Sequence, residues 1–208
     1  EKTLGLPFDI HGGGRDLTFP HHENEIAQSC CSSSANSDPK SYVNYWMHNG
    51  FVTVNGEKMS KSLGNISLVK DLIEDNHGEV IRLSLLSSHY RQALDWNDKV
   101  IHQAKKLLDK LYKVLAEIEN IQPSQMNEST IGFVAPLLDD LNTPGLLANL
   151  NKMIKDFGSI SHDDLPEFKS KLILASELIG ICQEDYQDWF SNNRAGVDIN
   201  KIEQLILH

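Results

Sequence analysis

Cysteine is scarce in this sequence: among 208 residues only Cys30, Cys31 and Cys182 occur. Two adjacent cysteines and a distant third make no disulfide framework, which points to a reduced, cytoplasmic protein. Long apolar runs are missing as well. No stretch reaches the roughly eighteen apolar residues of a membrane-spanning helix, so no membrane association is expected. Glu1-Lys2-Thr3-Leu4-Gly5 has neither the basic start nor the apolar stretch of a signal peptide. An excess of positive charge is also absent. With 19 Lys+Arg against 29 Asp+Glu the net charge is −10, which argues against a globally basic, nucleic-acid-coating surface. Local basic patches remain open, because screening confines charge effects to about 10 Å at moderate salt. There is no internal repeat, and no low-complexity tract beyond Ser32-Ser33-Ser34. There is no initiator Met, and the chain opens directly in a segment dense in His, Gly and aromatic residues. It is therefore expected to be an interior piece of a longer protein.

What is present divides in two. The 40% hydrophobic content suffices for a core. In the first part, Pro7-Phe8-Asp9-Ile10 reads as a short strand running into Gly12-Gly13-Gly14, where the backbone can turn sharply and approach a ligand. His21 to Cys31, entered through Pro20, reads as helix. Tyr42 to Met47 and Phe51 to Val54 read as strands, the latter closed by the hairpin signal Asn55-Gly56. From about residue 67 the pattern turns helical. Ser67 is a candidate N-cap for Leu68 to Asp75, and Gly78 separates this segment from Glu79 to Ser88. Ala104, Leu108, Leu111, Leu115 and Ile118 form an apolar seam at three- and four-residue spacing. Thr143-Pro144 reads as an N-cap with proline at the first helical position, followed by a face of Leu147, Leu150, Ile154 and Phe157. Leu165, Phe168, Leu172, Ala175 and Ile179 repeat the seam. Three such helices predict an antiparallel bundle. The fold class expected is mainly α with a small β portion.

Chemistry-bearing residues concentrate in the first part. Lys58-Met59-Ser60-Lys61-Ser62 follows the hairpin and makes a short cationic loop whose ammoniums and hydroxyls suit phosphate oxygens. By composition alone such a loop is ordinarily a solvated turn. His21 and Glu25 are four apart, on one face of the predicted helix, where they can share a metal ion. His22, about 100° round the helix, is expected to point elsewhere. Cys30 and Cys31 have the wrong phase to join that face and read as packed or incidental. On the long helix, Lys99, His102, Lys106, Lys110 and Lys113 share a face; this is either a solvated surface or a stripe facing RNA phosphates.

The order of these motifs resembles the cysteine-specific branch of the class I aminoacyl-tRNA synthetases. Lys58 to Ser62 is the family's KMSKS string, continued by Leu63-Gly64-Asn65. Phe8-Asp9-Ile10-His11-Gly12-Gly13-Gly14-Arg15-Asp16-Leu17 is similar to the cysteine-specific pattern. So are Phe19 to Ser29 (Phe-Pro-His-His-Glu-Asn-Glu-Ile-Ala-Gln-Ser) and Tyr45-Trp46-Met47-His48-Asn49-Gly50. The likeness is sharp over residues 8 to 65 and looser through the helices, where Leu141-Asn142-Thr143-Pro144 is still family-like.

The resemblance implies that residues 1–50 form the C-terminal part of a Rossmann-like catalytic domain. It implies a KMSKS hairpin and connecting, stem-contacting segment over 51–98, and a helical bundle of tRNA-binding type over 99–208. It implies ATP-dependent activation of cysteine to an adenylate and transfer to tRNA(Cys), in a monomer, with magnesium accompanying ATP. Lys61, assisted by Lys58 and Ser60, would hold the phosphates, and His11, Gly12, Gly13 and Asp16 would line the adenylate pocket. His21 and Glu25 would supply two of four zinc ligands, the two cysteine ligands lying upstream together with the family's HIGH signature. The tRNA stripe would comprise Lys99, Lys106, Lys110 and Lys113. The chain by itself is expected to be inactive. Two other readings are a related ligase joining cysteine to an amino-sugar, which the run His21 to Gln28 disfavours, and a non-catalytic RNA-binding fragment or paralogue.

Overall fold

The computed structural model describes residues 5–32, 38–59 and 63–192. Helices dominate them, and the strands are few and short. The chain forms two compact units: Glu1–Ile66 with Ser88–Asp98, and Ser67–Ser87 with Lys99–His208.

The first unit holds two small sheets. Strand β1 (Phe8–Gly14) pairs in parallel with β2 (Val43–Asn49), and the intervening chain carries α1 (Glu23–Ser32), so the three form a βαβ unit. The glycines expected to make a turn instead lie inside β1, where Gly12, Gly13 and Gly14 pair with Met47, His48 and Asn49. A Cβ on Gly13 would press on the His22 imidazole at 3.0 Å, so the close approach of that ring, not a turn, is what requires glycine there. Helix α1 begins later than His21, because the segment Thr18–His22 before it is kinked at Phe19, whose backbone is extended (φ −138°, ψ 135°). The second sheet has the order β4-β3-β5: β3 (Val52–Val54) pairs antiparallel with β4 (Glu57–Lys58) and parallel with β5 (Leu94–Trp96). Asn55 and Gly56 make the expected turn, with φ of 52° and 83°. Gly50, just after β2, passes so close to Gln92 that any Cβ would run into its carbonyl.

The second unit is a helical bundle: α2 (Val69–Asp75), α3 (Gly78–Leu86), α4 (Asp98–Glu117), α5 (Glu128–Phe133), α6 (Thr143–Asp156), α7 (Leu165–Ile179) and α8 (Tyr186–Asn192). Its core joins Val80 and Leu83 of α3 to Leu108 and Leu111 of α4, Leu146 and Leu150 of α6, Leu172 and Ala175 of α7, and Trp189 of α8. The three consecutive segments expected from the sequence, 1–50, 51–98 and 99–208, cross this division. Residues 67–87 belong with the bundle because α3 buries its apolar face in the bundle core. Two caps also differ. Asn142, not Thr143, caps α6 by accepting from the Gly145 N–H at 2.9 Å, which frees the Thr143 hydroxyl to donate to the Leu86 carbonyl at 2.8 Å. Helix α2 starts after Leu68 with no side-chain cap, and His77, rather than a break at Gly78, caps α3.

Among the described residues of this unit, one carboxylate is buried. Glu79 is buried, yet its carboxylate accepts from the Tyr112 hydroxyl at 3.0 and 3.1 Å, from the Cys182 N–H at 2.8 Å and from the Gln183 N–H at 2.7 Å. The Tyr112 hydroxyl in turn accepts from the Glu184 N–H at 3.2 Å, and its ring stacks on Trp189 at 4.4 Å. Burial, and then the Glu79 carboxylate, hold the Tyr112 hydroxyl well above the ordinary phenol range, against the opposing pull of the Glu184 N–H. The Cys182 thiol is pushed up to about 12 by burial and Glu79, which makes it an inert, packed thiol. Tyr112→Phe removes one donor and leaves Glu79 its two backbone partners, so it should cost about 1–3 kcal/mol. Glu79→Ala, which strips the acceptor from two backbone N–H groups and a hydroxyl together, should cost more. Urea unfolding of the chain checks this; equal midpoints for the wild type and both variants would show that the network contributes nothing.

Candidate active site

Site residues of the first unit converge because of strand register. His11 on β1 is the direct partner of Trp46 on β2, and alternation places His48 on the same face as Trp46. That face meets the turn and helix that follow β1. His11 lies 5.1 Å from the His22 ring and 4.9 Å from Trp46, centroid to centroid, and Trp46 stacks on His48 at 5.6 Å. His22 and His48 share a hydrogen bond of 3.1 Å between Nδ1 and Nε2. Thr18, His22, Glu23, Ile26, Trp46 and His48 line a cavity of about 300 Å³. On the opposite face of the strand pair, the register partners Ile10 and Tyr45 are 65% and 72% exposed.

Glu25 sits between two imidazoles. Its Oε2 is 3.0 Å from His11 Nε2 and its Oε1 is 3.4 Å from His21 Nε2. Oε2 is shielded from solvent and takes no hydrogen bond among the described residues. At 3.0 Å from a ring nitrogen it is placed for a shared proton or a shared cation. Ligand atoms of His11, His22 and Glu25 all lie within 4.8 Å of one another. Imidazole and carboxylate donors at this spacing are of the type that suits zinc; the set contains Glu25 of the pair expected from the sequence, but not His21. His21 is the exposed member of the group, with a side chain 60% accessible. His22, expected to point away, is instead buried at 3%. The physical reason is that His22 precedes Glu25 by three and Ile26 by four, so the three share the helical face that packs on the strands. Burial, then the neighbouring His11, lower the pKa of His22, with His48 and His21 adding to this and Glu25 opposing it. A neutral ring, able to donate from one nitrogen and accept at the other, results.

Asp16, in the turn Arg15–Leu17, lies 3.8 Å from the Lys58 ammonium, which also stands over the Phe51 ring at 5.0 Å. The Lys58 carbonyl accepts from the Asn65 side chain at 3.3 Å, bridging the two ends of the motif loop. Ser60 and Lys61 lie outside the described residues. Thus His11, Gly12, Gly13, Asp16, His21, Glu25 and Lys58 all belong to the first unit. Lys99, Lys106, Lys110 and Lys113 lie on α4 in the second, exposed along one side. There Lys106 and Lys110 line a groove of about 500 Å³ whose far wall is Pro144, Leu147, Ala148 and Asn151 of α6. Lys113 pairs loosely with Glu117 at 4.0 Å. The clustering of Trp46, His48 and His22 beside His11 is not among the expectations from the sequence. The signals for it were the two-residue spacing of Trp46 and His48 on a strand and the three-residue spacing of His22 and Glu25 on a helix.

Comparison with known proteins places this geometry in context. A family described as the tRNA synthetases class I (C) catalytic domain matches residues 1–106. A cysteine--tRNA ligase of Rickettsia bellii is 45% identical over 207 residues, which is 99% of this chain and 43% of that protein. A cysteine--tRNA ligase of Caulobacter vibrioides is 41% identical over 213 residues, 99% of this chain and 44% of the relative. The chain therefore spans less than half the length of these relatives. In fold it is similar to a LeuRS of Agrobacterium radiobacter, solved in a ternary complex with tRNA and LeuAMS. The TM-score is 0.61 at 18% identity, over 86% of this chain and 28% of that one. It is also similar to a methionyl-tRNA synthetase of Mycobacterium tuberculosis bound by methionyl-adenylate. There the TM-score is 0.51 at 19% identity, over 83% of this chain and 40% of that one. With its parallel βαβ unit, its motif hairpin and a match over residues 1–106, the chain belongs to the family of class I tRNA synthetase (C) catalytic domains.

Proposed function

We propose that this chain is the part of a cysteine--tRNA ligase that carries the phosphate-handling lysines and half of a zinc site. The observation that carries the reading is Glu25, held between His11 and His21 with a shielded, unbonded oxygen, in the same unit as Lys58 and Asp16. The exposed Ile10 and Tyr45 face supports the reading of a part, since parallel strands are ordinarily covered on both faces.

In the reaction, the carboxylate of cysteine attacks the α-phosphate of ATP, pyrophosphate leaves, and the acyl group passes to the tRNA 3′ end. No covalent enzyme intermediate is needed, so the protein acts by positioning and by stabilising charge. Lys61 meets the charge that develops on the departing phosphates, with Lys58 and Ser60 beside it. His11, Gly12, Gly13 and Asp16 line the adenylate, and magnesium accompanies ATP. His21 and Glu25 would hold the zinc, with the buried His22 and the half-buried His48 packed behind them. The ion, when bound, supplies a soft site that a thiolate ligates and a serine hydroxyl does not. This discriminates where shape alone yields about 1–3 kcal/mol per small group. Lys99, Lys106, Lys110 and Lys113 face tRNA(Cys) phosphates along α4. The protein works in the cytoplasm as a monomer.

In the full-length ligase, Lys61→Ala should lower kcat for cysteine-dependent pyrophosphate exchange while leaving KM for cysteine nearly unchanged. A lost transition-state charge contact of this kind costs about 2–4 kcal/mol. A near-normal kcat would remove Lys61 from the mechanism.

The ligand assignment is tested by metal content, measured by mass spectrometry beside cysteine and serine activation rates. His21→Ala and Glu25→Ala should each lose zinc and lose preference for cysteine together, because each opens the coordination shell. His22→Ala should retain zinc. Retention in His21→Ala with loss in His22→Ala would move the ligand set to His11, His22 and Glu25.

A further inference from the structure

The hairpin that carries the lysine motif is too short to hold itself. Strand β4 is two residues long, and its ladder with β3 consists of the pairs Thr53–Lys58 and Val54–Glu57. A two-stranded hairpin of that size is marginal in water. Its stiffness must come from elsewhere, and the structure provides one source on β5.

Asp95 is the register partner of Thr53 in the parallel β3–β5 pairing. Its Oδ1 accepts from the Gly56 N–H at 2.7 Å and from the Thr53 hydroxyl at 2.8 Å, and its Oδ2 accepts from the Asn97 amide at 2.8 Å. The next residue of β5, Trp96, takes the Asn55 N–H on its carbonyl at 3.2 Å. Both central residues of the turn are therefore tied to β5, one through a main-chain carbonyl and one through a carboxylate. The turn runs directly into Glu57 and Lys58, and the motif continues from there to Lys61. The Gly56 N–H, then the Thr53 hydroxyl and Asn97, lower the Asp95 pKa, so the acceptor stays ionised at neutral pH. Among the described residues, the side-chain hydrogen bonds of Asp95 go to Thr53, Gly56 and Asn97, none of them assigned above to the adenylate.

We infer that Asp95 is a positioning residue for the lysine loop: by clamping the Asn55-Gly56 turn and Thr53 to β5, it fixes where Lys58 and the segment bearing Lys61 begin. This rests on the cysteine-activation reading for its functional consequence and on geometry alone for its mechanical one. A lysine that must meet phosphate charge in the transition state loses effect when its base wanders, whereas cysteine binding is held by other residues.

Two measurements test this. In the full-length ligase, Asp95→Ala should lower kcat for pyrophosphate exchange on the order of ten- to a hundredfold, with KM for cysteine unchanged. Asp95→Asn, which keeps an acceptor oxygen for Gly56 and Thr53, should fall between the alanine variant and wild type. In the isolated chain, trypsin should cut after Lys58 and Lys61 several times faster in Asp95→Ala than in wild type, read by mass spectrometry, while cutting after Lys106 is unchanged. Unaltered trypsin rates at Lys58 and Lys61, or a kcat in Asp95→Ala equal to wild type, would overturn the proposal. So would a loss in which Asp95→Asn is as impaired as alanine and KM for cysteine rises in parallel. Should the wild-type ligase itself show no cysteine-dependent exchange, the proposed reaction falls, and the trypsin rates alone decide whether Asp95 holds the hairpin.

Discussion

Parallel pairing of two strands obliges the chain to travel back across the sheet before the second strand can begin. In this protein that return path contains α1, so the helix has to lie over β1 and β2, and much of the first unit follows from it. The register sets His11 opposite Trp46 and alternation adds His48 to the same face. The segment before α1 and the helix itself bring His22 and Glu25 onto that face. Glycine at position 13 is the condition for this closeness, since a Cβ there would meet the His22 ring. A one-residue slip between the strands would exchange this face for the one bearing Ile10 and Tyr45, and the cluster of imidazoles would be lost.

The second unit is governed by a different constraint. A carboxylate may enter a core only with its acceptor capacity filled. Glu79 meets that condition with two backbone N–H groups from the turn after α7 and the hydroxyl of Tyr112 on α4. The same contacts decide where the chain goes after α7, since the turn that supplies those N–H groups leads directly to α8. Trp189 on α8 then stacks on the Tyr112 ring, and its indole N–H donates to Asp109 at 3.0 Å. Polar satisfaction and apolar stacking thus converge on one tyrosine.

Much of this was legible in the residues. Of the seam on α4, Ala104, Leu108, Leu111 and Ile118 are buried and Leu115 is half-buried against the same core, and Asn55-Gly56 turns as its chemistry requires. The helix boundaries were read less well because side-chain caps compete locally. Asn142 and Thr143 can both cap a helix, and what decides between them is a carbonyl fifty-seven residues away that takes the Thr143 hydroxyl. The glycine run at 12–14 was misread as a turn because the ring that requires glycine arrives from another element. Glu79 carries no local sign of burial at all: its partners are 33 and more than 100 residues distant. Local chemistry shows in sequence, whereas contacts made across elements do not.

The electrostatics of the lysine motif depend on the same distinction between near and far. With a net charge of −10, the chain repels a polyanion at long range, but beyond roughly 10 Å that repulsion is screened in moderate salt. What a phosphate meets is the local arrangement. Lys58 rests 3.8 Å from Asp16 and over the Phe51 ring, with its side chain more than half exposed. An exposed pair of this length is worth about 0–1 kcal/mol. It holds the ammonium only loosely beside Asp16, so that a phosphate dianion could draw the ammonium away at little cost. Under the proposed function, a tighter pair would oppose the contact with phosphate, and an unpaired lysine would lose more side-chain freedom in making it. On that proposal, the loose ion pair keeps the cation both near the phosphate and available for it.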